Sequence, residues 1–164
     1  MHSFQGNRVV HDYVQTNPAS PEKLFPLLCP VREADWLPGW EYQLLYSESG
    51  LAEWGCVFTS PGLKSSGLKD REKTWVVTEY DRDAGRIAFV WIAPGLVIAQ
   101  LQIRVVGAGE GTSQTKIRYC YTGLSEEGNR EVASYDRPWF EARMKNWESS
   151  INHYLRTGER VSSG

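Results

Sequence analysis

Apolar and polar residues alternate with a period of two along most of the chain, and this pattern predicts β-strands. The clearest case is Leu96–Val106, where Val97, Leu101 and Val105 fall on one face and Arg104 falls on the other. Gly- and Pro-containing turn sequences separate the alternating segments. The predicted strands are Arg8–Gln15, Trp40–Tyr46, Trp54–Thr59, Lys73–Tyr80, Arg86–Ile92, Leu96–Val106 and Thr112–Thr122.

The segment Arg137–Arg156 changes to the 3.6-residue period of an amphipathic helix. We expect Asp136 to cap its start and Gly158 to end it in the left-handed conformation. Its polar face is predicted to include Lys145, Asn152 and Arg156. Its apolar stripe comprises Phe140, Met144, Trp147, Ile151 and Leu155.

Shorter helices are predicted on either side of the strands. Ser20 is placed to cap a short helix that begins at Pro21, and a second short helix covers Val31–Trp36. Ser125–Tyr135 is predicted to be a helical segment before the long helix. Ser60–Arg71 is the longest predicted loop, and long loops in compact domains are often lids or mobile segments.

This order of elements predicts an α+β fold. An antiparallel sheet with one apolar face needs a helix to cover that face, and the long C-terminal helix has the matching apolar stripe. The helix either fills the core or encloses a cavity with the sheet, and the pattern leaves both alternatives open. We interpret residues 1–164 as one domain with an ordered core over about residues 8–157.

Composition narrows the classes of function. The net charge of −2 argues against a dominant nucleic-acid role, because phosphate binding requires a concentrated basic surface. Seven Trp and eight Tyr are many for 164 residues, and aromatic side chains either fill cores or line pockets for apolar ligands.

Cysteine usage and the N-terminus suggest where the protein works. Cys29, Cys56 and Cys120 have no metal-type spacing, and we expect them to be core or boundary residues. The sequence has no membrane-length apolar run, and its N-terminus does not resemble a signal peptide. We therefore expect a cytoplasmic protein with no metal, no cofactor and no membrane span.

Several segments, taken together, resemble the START-like, Bet v 1-like superfamily, also called SRPBCC. They are Ser20–Phe25 after the first strand, Trp75–Asp81 followed by Arg86–Phe89, and the closing helix with Trp147 and Asn152–Leu155. The runs Cys29–Glu33 and Asp35–Trp40 are similar to those of a bacterial branch of that superfamily.

The resemblance implies a helix-grip fold, in which a seven-stranded antiparallel sheet curls around the long C-terminal helix, with two short helices after the first strand. It also implies a hydrophobic cavity between sheet and helix. Members of the superfamily bind lipids, sterols, plant hormones or polyketides, and some are polyketide cyclases or dehydratases, oxygenase domains or chaperone activators. Because one fold serves many functions, the resemblance does not choose among them.

Few residues stand out as candidates for chemistry. Trp36 and Trp40 flank a Pro-Gly turn, with Asp35 and Glu41 just outside it, and they either gate a cavity mouth or pin the short helix to the sheet. Tyr119, His11 and Glu41 are weak candidates for acid–base catalysis. The histidines show no metal-ligand spacing.

The first hypothesis from the sequence is that the protein binds a small hydrophobic or aromatic ligand, lipid- or polyketide-like, as a monomer or homodimer. The alternative is a cyclase- or dehydratase-type enzyme, and a weaker one is a chaperone-activator-like role in protein binding. The inward or outward direction of Trp75 and Arg118 stays open. The predicted ligand-binding residues are Trp36, Trp40, Phe58, Trp75, Phe89, Trp91, Leu101, Ile103, Tyr119, Phe140, Met144 and Trp147.

Overall fold

A computed structural model describes residues 3–61 and 72–162. These residues form a seven-stranded antiparallel sheet in the order β1-β7-β6-β5-β4-β3-β2. Each strand from β3 to β7 pairs with the strand before it in the chain, and β1 completes the order by pairing with β7. The strands are β1 Arg8–Asn17, β2 Gln43–Tyr46, β3 Val57–Ser60, β4 Lys73–Asp81, β5 Arg86–Ala93, β6 Val97–Gly107 and β7 Ser113–Gly123.

Helices occupy the two places that the pattern predicted. Between β1 and β2 lie α1 Pro21–Leu24, a 3-10 turn Phe25–Leu28 and α2 Pro30–Glu33. After β7 come α3 Glu126–Ala133 and α4 Arg137–Thr157. The α+β helix-grip architecture with a long C-terminal helix and two short helices after the first strand is therefore confirmed.

The predicted caps of the two C-terminal helices form side-chain hydrogen bonds. Ser125 accepts a bond from the backbone N–H of Gly128, and Asp136 accepts one from the backbone N–H of Trp139. Gly158 ends α4 with a φ of 74°, the left-handed conformation that glycine adopts without strain. Ser20 holds the N-cap position of α1 but forms no side-chain hydrogen bond there.

The sheet covers the apolar stripe of α4 with its inner face. Val97, Leu101 and Val105 on β6 are buried there, as their alternation predicts. At the edge, β1 is tied to α4 by Glu148, which accepts bonds of 2.5 Å from the Tyr13 hydroxyl and 2.9 Å from the Thr16 backbone N–H.

The prediction that Asn152 faces water is wrong. Asn152 is buried on α4 and accepts a 2.8 Å hydrogen bond from the side-chain amide of Asn17. It also donates one of 2.8 Å to the backbone carbonyl of Thr16. A buried polar side chain is stable only with such partners, and the periodicity of the helix does not report them.

Strand pairing decides the direction of Trp75. Trp75 lies opposite Trp91 and faces inward. A register shift between Val77 and Glu79 adds one residue to β4, so Tyr80 also faces inward and packs against Phe25 at a ring distance of 5.6 Å. In a regular strand Trp75 and Tyr80 would point to opposite faces, so only one of them could face inward. The register shift allows both to do so.

Arg118 faces outward, where its guanidinium forms a 2.9 Å salt bridge with the exposed Asp12 of β1.

Several element boundaries differ by a few residues from the prediction. The first strand continues to Asn17, and the second short helix ends at Glu33. Of the predicted loop Ser60–Arg71, Ser60 ends β3, and residues 62–71 lie outside the described residues.

Candidate functional site

A cavity of about 640 Å³ lies between the inner face of the sheet and α4. Its walls come from β3 to β7, from the segment around α2 and from one side of α4. Most of the lining is aromatic or aliphatic, with a few polar groups among these side chains. The aromatic lining residues are Trp40, Phe58, Trp75, Phe89, Trp91, Tyr119, Tyr121, Tyr135, Trp139 and Trp147.

Strand register explains why the aromatic rings form a continuous wall. Phe58 on β3 lies opposite Trp75 on β4, and their rings stack with centroids 5.3 Å apart. Phe89 of β5 meets Trp75 edge to face at 5.9 Å. Side chains directly across a ladder share one face, so inward alternation on each strand produces one aromatic surface.

Glu33 is the acidic residue of the cavity wall among the described residues. It ends α2, and its Oε1 accepts a 2.8 Å hydrogen bond from Trp147 Nε1 on α4. Removal from water raises the pKa of the Glu33 carboxyl to about 7, although the bond from Trp147 acts in the opposite direction. At neutral pH this carboxyl can therefore both give and take a proton.

Sequence reasoning missed Glu33, although a signal was present. In helical backbone, residues three and four positions apart share a face, and Glu33 is followed at those spacings by the buried Trp36 and Leu37. A glutamate on the same side as two buried apolar residues is directed toward the interior. The prediction instead considered the two carboxylates that flank the Pro-Gly turn, Asp35 and Glu41.

Tyr119 lines the cavity on β7 beside Tyr121, and their rings stack at 5.0 Å. Burial raises the pKa of the Tyr119 hydroxyl to about 12; the charge of Arg143 opposes this rise, and that of Glu33 adds to it. Burial also raises the pKa values of Tyr121 and Tyr135. These phenols keep their protons at neutral pH and serve as hydrogen-bond donors.

Lys73 is the first residue of β4 and is only 7% exposed. Its Nζ lies 4.5 Å from the centroid of the Trp91 ring. Burial, and then the charge of Arg143, lower the pKa of its ammonium group to about 8. Lys73 is two residues from Trp75, so the alternation that turns Trp75 inward turns Lys73 inward too.

Solved structures with this architecture cover nearly the whole chain. Norcoclaurine synthase from Thalictrum flavum superposes with a TM-score of 0.68 at 14% identity, over 93% of this chain and 88% of the synthase. Ara h 8.0201 superposes with a TM-score of 0.65 at 12% identity, over 92% and 99% of the two chains. The chain has the Bet v 1-like helix-grip fold.

The di-domain ARO/CYC protein BexL, from the BE-7585A biosynthetic pathway, contains the same Bet v 1-like fold. It superposes with a TM-score of 0.64 at 13% identity, over 92% of this chain and 46% of BexL. The synthase has also been solved in complex with dopamine and hydroxybenzaldehyde. No protein-family model matches the sequence, and no curated protein matches it. The SRPBCC resemblance is thus confirmed at the level of the fold. The fold alone does not identify a ligand, which depends on the residues that line the cavity.

Most residues predicted to bind a ligand line the cavity of this Bet v 1-like fold. Trp36 and Phe140 do not, because both are fully buried behind its wall. Trp36 donates a 2.9 Å hydrogen bond to the Leu27 carbonyl and meets Trp147 edge to face, so it fixes α2 rather than gating a mouth. Ligand contact by the others stays a prediction: Trp40, Phe58, Trp75, Phe89, Trp91, Leu101, Ile103, Tyr119, Met144 and Trp147.

Of the three weak catalytic candidates, Tyr119 alone belongs to this lining. His11 stacks on Phe140 at 4.8 Å, and its Nε2 lies 2.7 Å from the carbonyl oxygen of Tyr135. Glu41 is exposed before β2, and Asp35 pairs with Arg32 at 2.9 Å outside the cavity. Tyr119 and Glu33 therefore line the same cavity. His11 lies opposite Tyr119 in the pairing of β1 with β7, but neither His11 nor Glu41 belongs to the lining.

No helix in the described part of the chain is long and apolar enough to cross a membrane. Within residues 3–61 and 72–162, no group of three His, Cys, Asp or Glu side chains comes together as a metal site. Cys29, Cys56 and Cys120 are free thiols.

Proposed function

We propose that this protein binds a small, largely apolar ligand with an aromatic or polyketide-like body in the cavity between the sheet and α4. The observation that carries the proposal is a cavity of about 640 Å³ with an aromatic wall. Ligand pockets of roughly 300–1,000 Å³ are typical for small organic molecules. Phe58 and Trp75, whose rings stack on each other, add apolar contact surface for the body of such a ligand.

The comparisons support an aromatic ligand class. Norcoclaurine synthase shares the fold and has been solved with dopamine and hydroxybenzaldehyde, two small ring compounds. BexL, which also shares the fold, is an ARO/CYC protein of a biosynthetic pathway. Both are distant in sequence, so they favour a class of ligand for this chain and no particular compound.

The test is a fluorescence titration with phenylnaphthylamine, a neutral aromatic probe, on the wild type and two variants. Met144→Trp adds bulk at a position that lines the cavity, whereas Lys145→Trp adds a side chain of the same size at the exposed neighbouring position on α4. We expect saturable binding to the wild type and to Lys145→Trp, and a loss of at least about tenfold in affinity for Met144→Trp. Absence of saturable binding to the wild type, or undiminished binding to Met144→Trp, would contradict the proposal.

Native mass spectrometry of the protein purified from its own host complements the titration. A stoichiometric apolar molecule, released on denaturation, would identify the ligand class directly. A protein that carries no small molecule and also excludes the neutral probe would show that its own side chains fill the cavity in solution.

A second candidate function is acid–base catalysis of a cyclase or dehydratase type, favoured by the two proton-handling groups in the cavity. Glu33 has a pKa of about 7, and its charge acts on Tyr119 across the same space. The Glu33 carboxylate would remove a proton from the carbon beside a ligand carbonyl. The Tyr119 hydroxyl would donate a hydrogen bond to the oxygen that becomes an enolate.

The catalytic candidate is tested by proton–deuterium exchange beside the carbonyl of tetralone, an aryl ketone, followed by nuclear magnetic resonance. Wild-type protein is expected to accelerate exchange. Glu33→Gln should abolish the acceleration, and Tyr119→Phe should reduce it by about tenfold or more. Binding of phenylnaphthylamine should survive both changes. Equal exchange in wild type and Glu33→Gln would leave the protein as a binding module.

A further inference from the structure

Two cationic side chains border the cavity, Lys73 on β4 and Arg143 on α4. Within residues 3–61 and 72–162, neither of them forms a salt bridge with a carboxylate. The salt bridges of these residues join other pairs, such as Arg32 with Asp35 and Arg118 with Asp12. We call Lys73 and Arg143 together the cationic end of the cavity.

A continuous series of aromatic rings connects these two cations. The Lys73 ammonium lies over Trp91, the Trp91 ring contacts Tyr121 at 6.2 Å, and the Tyr121 ring contacts Trp139 at 5.9 Å. The Arg143 guanidinium lies 5.0 Å over the Trp139 ring. The charge of Arg143 lowers the pKa of Lys73, so the two cations act on the same region of the cavity.

Glu33 does not act as their counter-ion. Its carboxyl is bound by Trp147, and its pKa is set by burial and by that bond, with no contribution from a cation. The cavity therefore places its acid against α2 and its two cations along the wall formed by Trp91 and Trp139.

A buried ammonium group is costly unless an anion or a hydrogen-bond acceptor meets it. The face of Trp91 compensates Lys73 in part, because a ring quadrupole attracts a cation more weakly than a full negative charge does. At pH 7 a group with a pKa of about 8 is mostly protonated, so Lys73 carries its charge before a ligand binds. A ligand that brings an anion to this position would supply a full counter-charge.

We propose that the ligand carries an acidic group, such as a carboxylate or a phenolate, at one end of its apolar body, and that Lys73 and Arg143 bind this group. This inference rests on the proposed binding function and specifies the chemical class of the ligand. The apolar body then lies against the stacked rings of Phe58 and Trp75.

The experiment compares two dyes that share one apolar body. Anilinonaphthalene sulfonate carries an anionic group, and phenylnaphthylamine lacks it. Wild-type protein should bind the sulfonate at least about tenfold more tightly than the neutral dye, since charge-assisted bonds to a buried cation are among the stronger polar contacts. Lys73→Met keeps an apolar side chain of similar length and should remove most of this preference, measured as the ratio of the affinities for the two dyes.

Two further variants keep the test decisive. Arg143→Gln removes the second, half-buried cation and should weaken sulfonate binding several-fold even if Lys73→Met folds poorly. Lys145→Met removes an exposed charge from the same helix and should leave both affinities unchanged. Wild-type protein that binds both dyes equally, or a preference that survives Lys73→Met and Arg143→Gln, would overturn the inference alone. Wild-type protein that binds neither dye would overturn the proposed function and this inference together.

Discussion

Trp147 Nε1 donates a 2.8 Å hydrogen bond to Glu33 Oε1, and this bond joins the end of α2 to the middle of α4 across the cavity wall. The indole satisfies one oxygen of a carboxyl that is otherwise removed from water. The charged form remains disfavoured, because one neutral donor replaces only part of the hydration that an exposed carboxylate has.

This arrangement predicts a dependence of stability on pH. The folded-state pKa of Glu33 is about 7, above the usual 4.5, so the folded protein holds this proton more tightly than the unfolded chain does. The stabilisation is complete below pH 4.5 and is lost as pH rises through about 7. Relative to Glu33→Gln, the wild type should lose up to about 3 kcal/mol of unfolding free energy over this range.

Urea unfolding of both proteins at pH 5 and pH 8 measures this difference. The side-chain amide introduced by Glu33→Gln has a carbonyl oxygen that can still accept the bond from Trp147, so the variant should fold. Glu41→Gln removes an exposed carboxylate before β2 and serves as the matched control. A constant difference between wild type and Glu33→Gln at the two pH values would contradict the prediction.

The buried amide pair of Asn17 and Asn152 should be sensitive to truncation. Asn152→Ala removes the acceptor of the Asn17 amide and the donor to the Thr16 carbonyl, two bonds of 2.8 Å each. Leaving the buried Asn17 amide without its acceptor, together with the loss of the bond to the exposed Thr16, should lower the unfolding free energy by about 2–3 kcal/mol. Chemical unfolding measures the loss, and Lys145→Ala, on the exposed side of α4, should differ from wild type by less than about 0.5 kcal/mol.

Gly128 fixes how α3 packs on the start of β6. A Cβ at this position would meet the carbonyl oxygen of Leu96 far inside van der Waals contact. Gly128→Ala must therefore displace α3, and we expect a loss of about 3 kcal/mol or more in unfolding free energy. Gly107→Ala is the control, since a Cβ there meets no atom within 4 Å and should cost little. Similar unfolding midpoints for the two variants would show that α3 moves freely.

The N-caps of α4 and α1 offer a paired comparison. Asp136 accepts a 2.9 Å bond from the Trp139 backbone N–H, whereas Ser20 forms no side-chain cap bond. Asp136→Ala should therefore lower the unfolding free energy by about 1 kcal/mol, or the melting temperature by about 2–4 °C, and Ser20→Ala should lower it by less. Calorimetry of the two variants checks the order, and an equal or larger loss for Ser20→Ala would refute it.

The sequence predicts the strands and the long helix well, because their burial follows simple periods. On β6 the inward positions are apolar, so the pattern favours the outer face for Arg104, where the structure has it. On α4 the same reasoning places Met144 and Trp147 correctly and fails at Asn152. Periodicity reports hydrophobicity, and it does not detect a buried amide whose partners, Asn17 and Thr16, lie more than a hundred residues away.

The polar residues of the cavity are harder to predict for the same reason. Glu33 and Lys73 are charged, so a pattern based on hydrophobicity assigns them to solvent. Their inward direction follows only from neighbours: Trp36 for Glu33 and Trp75 for Lys73. Tyr119 is predictable because tyrosine on an inward strand position is compatible with burial.

The bulge of β4 divides one strand between two tasks that can vary separately. Before the register shift, Trp75 lines the cavity, and after it Tyr80 packs against Phe25. A substitution in the first half of β4 changes the shape of the cavity and leaves the contact between Tyr80 and Phe25 in place. Insertion of one further residue after the shift, with no second bulge to absorb it, would instead reverse the direction of the side chains that follow it in the strand. The strand therefore tolerates exchange of its side chains far better than an added residue.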